Sequence, residues 1–178
     1  MQTVVSSDAV GAHLVPIDGV DPAAVEHLLD LAFGPDRHGR TAYRLRDGVA
    51  AEASASCAAL DEHGALVGSL QSWPLALTTA DGAVTPLWLV GPIAVHPDRR
   101  NEGIGRAMLR RACEAIDATG VPAVLIGDAP YYAPFGFAAD QTRRWQVPGP
   151  VDRARLLART GEDLVLPTEG MLGPRRRS

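Results

Sequence analysis

Residues 87–126 constrain the fold of this chain more than any other stretch. Residues 87–95, Leu-Trp-Leu-Val-Gly-Pro-Ile-Ala-Val, form an apolar run long enough for the middle of a sheet. A polar turn segment from His96 to Gly103 follows. Ile104, Met108, Leu109, Ala112, Cys113 and Ile116 then recur on one face of a helix predicted over residues 104–118. Gly120 stops that helix, and residues 121–126 read as a short apolar strand of the buried type. A strand, a helix and a strand at these lengths make a βαβ unit, which puts both strands in one sheet.

Further elements surround that unit. Residues 13–17 are a short apolar run, read as a first strand. Asp21-Pro22 opens a helix, with Asp as N-cap and Pro in the first turn. Val20 and Val25 occupy the two positions of a hydrophobic staple. Val25, Leu28, Leu29 and Ala32 keep the helical period until Gly34-Pro35 ends it. A weaker helical stretch covers residues 41–45. Residues 54–60 and 65–77 read as strands joined by the turn Asp61-Glu62-His63-Gly64, and Asp81-Gly82 marks another turn. Past the βαβ unit come a turn-rich aromatic segment at 127–137, a strand at 144–147 and a short helix at 151–158. Residues 1–170 therefore read as one α+β domain with a mixed sheet. Residues 171–178, with Arg175-Arg176-Arg177, read as a loose basic tail.

Composition removes several classes of function. Of the 178 residues, 46% are hydrophobic and 21% charged, which excludes a disordered chain or a coiled coil. A net charge of −4 leaves no global electrostatic footprint for nucleic acid or an anionic membrane. No apolar run reaches the ~18 residues of a membrane span. Residues 1–11 lack the charged-then-apolar layout of an export signal. Cys57 and Cys113 are too few for a disulfide scaffold and are expected as buried thiols of a cytoplasmic protein. Every basic side chain other than histidine is an arginine, so no internal lysine can act as a nucleophile. His13, His27, His38 and His63 are scattered without metal-ligand spacing, and no metal site is expected.

Chemistry concentrates where the long strand meets the helix, at Arg100-Asn101-Glu102-Gly103-Ile104-Gly105-Arg106. The first N–H groups of a helix lack internal partners and carry the positive end of its dipole. Two glycines there admit a diphosphate close to the backbone, and Arg100 and Arg106 can add charge-assisted bonds. Two other nucleotide motifs do not fit. Met108 stands where the dinucleotide fingerprint needs its last glycine, and a P-loop needs a lysine that this chain lacks.

Gly91-Pro92-Ile93-Ala94-Val95-His96-Pro97-Asp98, followed by Arg100-x-x-Gly103-x-Gly105, resembles the acetyl-CoA motif of the GNAT superfamily of N-acetyltransferases. Tyr131-Tyr132-Ala133-Pro134-Phe135-Gly136-Phe137 resembles that superfamily's closing Tyr-x-x-x-Gly-Phe element. Ser72-Trp73-Pro74-Leu75 and Gly127-Asp128-Ala129-Pro130 make the chain similar to a small bacterial branch of predicted, mostly unassigned acetyltransferases. The likeness runs from about Val15 to Val165.

The resemblance implies a mixed, mostly antiparallel central sheet flanked by helices, with the βαβ unit binding acetyl-CoA and no metal. It implies that the strand segment Ile93, Ala94 and Val95 binds the donor, the backbone of Ile93 and Val95 pairing with the pantetheine arm. The backbone from Asn101 through Glu102, Gly103, Ile104 and Gly105 to Arg106 is expected to hold the pyrophosphate beside Arg100. Tyr132, four residues before Gly136, matches the tyrosine that protonates the departing CoA thiolate, and Tyr131 takes that role if the register moves by one. A phenol is protonated at neutral pH and can donate to sulfur. Residues 87–92 carry no acid where many members have a base, which leaves water, His96 or Asp128 to deprotonate the acceptor. Trp73 and Trp88 read as core or pocket wall. The implied acceptor is a small-molecule amine or a protein or peptide amine, without nucleic acid or membrane, and subunits of this kind commonly pair. Two rival readings use the same motifs: a non-catalytic acyl-CoA sensor, and a toxin-like aminoacyl-tRNA acetyltransferase, which the acidic charge disfavours.

Overall fold

The computed structural model describes residues 11–176. The expectations for residues 1–10 and for Arg177 lie outside the described residues. The strands are β1 (Ala12–Pro16), β2 (Cys57–Asp61), β3 (Leu66–Thr78), β4 (Val84–Val95), β5 (Ala123–Ile126), β6 (Arg144–Gln146), β7 (Leu156–Arg159) and β8 (Glu169–Pro174). The helices are α1 (Pro22–Phe33), α2 (Thr41–Arg44), α3 (Ile104–Asp117) and α4 (Ala129–Tyr132). The strands form one mixed sheet in the order β1-β2-β3-β4-β5-β7, with β8 pairing β3 and β6 pairing β8. β4–β5 and β6–β8 are parallel, whereas β1–β2, β2–β3, β3–β8 and β5–β7 are antiparallel. This is the α+β class and the βαβ unit expected from the sequence.

Internal contacts group the chain into two compact units that interleave along the sequence. One takes the chain as far as Arg37 together with residues 52–72 and 92–115; the other takes residues 38–51, 73–91 and the chain from Ile116 onward.

In the first unit, Asp21 accepts the Ala23 N–H at 3.0 Å and caps α1, as its sequence signature requires. α1 buries Val25, Leu28 and Leu29 with Ala94, and Val20, Ile17 and Phe33 pack against that cluster. α3 buries Ile104, Met108, Leu109, Ala112 and Cys113, five of the six positions of its predicted apolar face that fall in this unit. Each large one contributes about 1.5–3 kcal/mol of burial. A Cβ at Gly68 of β3 would lie 3.0 Å from both Ile104 and Met108, so the strand packs flush against the first turns of α3. Residues 53–55 form a 3-10 turn rather than the start of β2, because the Glu52 carboxylate accepts the Ser54 N–H and hydroxyl. Arg37 is buried and bonds Glu26 and Asp30, which fastens the chain leaving α1 onto that helix.

In the second unit, Leu75, Leu77, Leu87, Leu89, Val124 and Trp145 lead the core. Two expectations are corrected here. Residues 151–158 are not a helix: Asp152 caps a 3-10 turn at Arg153–Arg155, and β7 then pairs Leu157 with Leu125 and Leu156 with Ile126. Leu156 and Leu157 are both fully buried, an environment that a strand with two covered faces provides. Nor are residues 171–174 a loose tail. They complete β8, pairing Leu172 with Leu77 and Met171 with both Thr78 and Gln146. Arg175 then donates to the carbonyls of Leu75 (3.1 Å) and Leu87 (3.3 Å), with its guanidinium 5.2 Å from the centre of the Trp88 ring.

Candidate functional site

The sequence-predicted residues fall in two places, each built by one of the units. The first is the start of α3. Asn101 has φ 67°, the left-handed conformation that asparagine tolerates, and it is the one non-glycine at positive φ among the described residues. Gly103 follows at φ 84°. A Cβ at Gly103 would meet nothing within 4 Å, so the backbone there is open to an approaching group. The Ala107 N–H donates to Gly103 O at 3.0 Å, which leaves the N–H groups of Ile104, Gly105 and Arg106 ahead of the helix's own bonding ladder. Ile104 and Gly105 are buried; Arg100, Asn101, Glu102 and Arg106 are exposed.

The loop is braced by Arg99, which the sequence reading did not select, and by His96. Arg99 donates to the Glu102 carboxylate at 2.5 Å and to Gly11 O at 3.2 Å. Glu102 thus has its charge matched by Arg99, which makes the potential at the helix start less negative. His96 donates its N–H to Val67 O at 2.8 Å, and its Nδ1 accepts the Asp98 N–H at 3.1 Å. Its ring is a turn cap. The signal for Arg99 was present, since it stands three residues before an acid, but Arg100 next to it fitted the motif better.

The second place lies along β4, β5 and the segment after β5. The β4–β5 ladder registers Trp88 with Ala123 and Leu89 with Val124. The ladder ends at that second pair. Gly91 has φ 123°, out of reach of other residues without strain, and Pro92 follows it without an N–H. A Gly-Pro pair inside an apolar strand is the sequence signature of such a break. Gly91 O accepts the indole N–H of Trp73 at 2.7 Å. Ile93, Ala94 and Val95 of β4 belong to the first unit, with Ala94 buried and its two neighbours half-buried.

Tyr132 closes α4, its N–H donating to Asp128 O at 3.2 Å. Its ring lies against Gly127, where an added Cβ would be 2.3 Å from Cε2. Tyr131 and Phe137 meet it edge-on, with ring centres at 4.8 and 6.1 Å. Burial pushes the Tyr132 phenol up to about 12, with Tyr131 and Asp128 adding to the shift and Arg155 opposing it. Gly136 turns the chain at φ 87°, and the Phe137 N–H returns to Tyr132 O at 3.4 Å. Asp128 is exposed and pairs with Arg155 at 3.3 Å. Trp88 donates its indole N–H to Thr119 Oγ1 at 3.1 Å, a core role.

Among the described residues no three His, Cys, Asp or Glu side chains stand together as metal ligands, and no helix is long and apolar enough to cross a membrane. Cys57 and Cys113 are buried and in no disulfide, and burial pushes the Cys57 thiol up to about 12. A cavity of about 440 Å³ between Glu52, Cys57 and Arg111 is lined by none of the sequence-predicted site residues.

The acetyltransferase (GNAT) domain family model matches residues 21–139. Among solved structures, the fold is similar to a GNAT family N-acetyltransferase (YhbS) from Escherichia coli, in complex with CoA. The TM-score is 0.72 at 20% identity, over 96% of this chain and 93% of that one. It is also similar to a GNAT family acetyltransferase from Brucella melitensis in complex with acetyl-CoA, at TM-score 0.61 and 22% identity, over 92% and 96% of the two chains.

Proposed function

The chain belongs to the GNAT acetyltransferase family, and from that premise we propose that it transfers an acetyl group from acetyl-CoA to the nitrogen of an amine by direct attack. The start of α3 carries the proposal. The first turn of α3 presents N–H groups that lie ahead of the helix's own bonding ladder, with open space at Gly103. Such a terminus favours a diphosphate through its N–H groups and its dipole together. In this reading the backbone from Asn101 to Arg106 holds the pyrophosphate, Arg100 adds its charge from the surface, and Ile93 and Val95 pair with the pantetheine arm through their backbone.

Tyr132 is assigned the departing sulfur. With its phenol near 12, its hydroxyl is protonated at every working pH. A thiol of ordinary pKa, about 8.5, is the stronger acid, so the phenol does not simply hand over its proton. It hydrogen-bonds the sulfur as negative charge gathers there, and the proton shed by the attacking nitrogen completes the thiol. The acceptor amine, with an ordinary pKa near ~10, must be neutral when it attacks. His96 and Asp128 are already committed, one to capping the Asp98 N–H and the other to Arg155, so the reading gives that first proton to water. The two buried thiols, neither in a disulfide, suit the cytoplasm, where the reading places the enzyme.

The test is thermal unfolding with and without acetyl-CoA, followed by turnover of Tyr132→Phe on an amine panel. Donor at ~100 times its Kd adds about 2.7 kcal/mol of stability, a midpoint shift of roughly 5–10 °C at this chain length. Tyr132→Phe should keep the shift and lose about 10²–10³-fold in turnover, the weight of one hydrogen-bond donor to a developing charge. Absence of any shift at millimolar donor defeats the proposal. A shift without thioester loss on any amine makes the protein a sensor instead.

A further inference from the structure

Tyr132 ends a helix too short to hold itself in place. α4 is four residues long, a single turn, and gains little from its own hydrogen bonds. A 3-10 turn at Ala133–Phe135 follows, and Gly136 at φ 87° reverses the chain. The bond that returns to Tyr132 O from the Phe137 N–H is long, at 3.4 Å. Firmer attachments come from two adjacent residues of β7, in the same compact unit. Ala158 exchanges both backbone bonds with Ala138, at 2.9 and 3.0 Å. Arg159 runs along Gly136, its Cγ and Nε each 3.6 Å from where a Cβ there would lie, and donates from Nε to Phe135 O at 2.7 Å. The guanidinium is itself aimed. Nη1 and Nη2 donate to the two carboxylate oxygens of Asp117, the last residue of α3, with Nη2 at 2.9 Å from Oδ2. The bond from Arg159 holds the Asp117 carboxyl below the usual carboxylate range, so both partners are charged at neutral pH. Asp117 is 57% exposed, so the ion pair adds little stability of its own. What the fork fixes is the plane of the guanidinium, and with it the direction of the Nε–H.

We infer that Arg159 is a positioning residue for Tyr132: by holding the Phe135 carbonyl it sets the turn from which the phenol reaches the departing sulfur. The inference rests on the reading of Tyr132 as the donor to that sulfur. Without the Nε bond, the Phe135 carbonyl turns to water, and the Ala138 backbone pair is the segment's remaining hydrogen-bonded anchor on β7. The turn then exchanges between the held arrangement and released ones, and only the held one places the hydroxyl. Turnover falls with the held fraction. The residues assigned to the donor lie elsewhere in the chain and bind as before.

The experiment compares wild type with Arg159→Lys and Arg159→Met, each also made in the Tyr132→Phe background. Lysine keeps the charge beside Asp117 but puts a methylene where the Nε–H stands; methionine keeps only an apolar arm along Gly136. Both should lower kcat at saturating acetyl-CoA about tenfold, the low end of the weight of one hydrogen bond from a charged donor. The CoA dissociation constant by calorimetry should stay within about twofold. In the Tyr132→Phe background the same changes should cost less than about twofold, because the group they misplace is already gone. Fluorine NMR of 3-fluorotyrosine protein gives a readout independent of turnover. The chain has three tyrosines, and the Tyr132 line is the one lost in Tyr132→Phe. That line should shift or broaden in both ligand-free Arg159 variants. If Arg159→Met does not fold, Arg159→Lys carries the same comparison. Folded variants at full kcat overturn the inference, as does a fall in kcat that is equally large in the Tyr132→Phe background or leaves the Tyr132 line unmoved. Tyr132→Phe at full kcat overturns the reading of Tyr132 itself, and this inference with it.

Discussion

Gly127→Ala tests the placement of Tyr132 without touching its hydroxyl. Gly127 is not one of the glycines at positive φ, so alanine suits its backbone and the perturbation is the added methyl alone. That methyl would lie 2.3 Å from Tyr132 Cε2, 3.0 Å from Cδ2 and 3.2 Å from Cζ. Carbon atoms in good contact are about 3.5–4.0 Å apart, so the ring must retreat by more than ~1 Å. Gly127 itself cannot yield easily, because it is buried and its N–H donates to Arg155 O at 2.9 Å. A displacement of that size at a reacting group costs about 10²-fold in rate, or about 2.7 kcal/mol of transition-state stabilisation. Overpacking of this kind costs about 1–3 kcal/mol of stability, a few degrees of melting temperature. Steady-state turnover at saturating acetyl-CoA, with CoA affinity by calorimetry, is the assay. The expected pattern is a kcat lower by about 10²-fold with affinity unchanged, because the residues assigned to donor binding lie elsewhere in the chain. The double variant with Tyr132→Phe should be no slower than Tyr132→Phe alone, since a misplaced ring without a hydroxyl loses nothing more. A folded Gly127→Ala protein at full kcat would refute the role given to Tyr132.

Two further outcomes follow from the geometry. Gly103→Trp should abolish CoA binding while the protein stays folded: the space beside Gly103 is open, and φ 84° costs a non-glycine about 1–2 kcal/mol. Gly103→Ala carries the same backbone cost and serves as the control; equal CoA affinity in the Trp and Ala variants would count against the diphosphate site. At alkaline pH, Cys57 and Tyr132 both have folded pKa values near 12, above their ordinary values of 9.0 and 10.0. Their contribution is complete below pH 9 and is lost as pH rises toward 12, so the melting temperature should fall across that window. Cys57→Ala should flatten the first part of the fall, and an unchanged slope would show that the thiol is not the group titrating.

What the sequence determined by itself is what short-range rules control. The Asp21 cap, the apolar face of α3, the stop at Gly120 and the strand–helix–strand order of the βαβ unit each depend on residues a few positions apart, and each is found in the structure. The glycines at the start of α3 belong to the same class, since a helix terminus exposes its N–H groups whatever lies around it. Tertiary structure decided the rest. The Leu156–Arg159 segment has an apolar run that suits a buried helix or a buried strand, and pairing with β5 chose the strand. Residues 171–174, Met-Leu-Gly-Pro ahead of three arginines, look like a loose end until β3 and β6 offer them partners. Trp73 read as core or pocket wall because its bond to Gly91 spans eighteen positions and needs both strands in place. Gly127 read as a turn because nothing nearby in sequence says that Tyr132 folds back onto it. Pairings that close long loops are decided by which backbone groups still need partners once the core has formed, and a single chain read along its length does not contain that information.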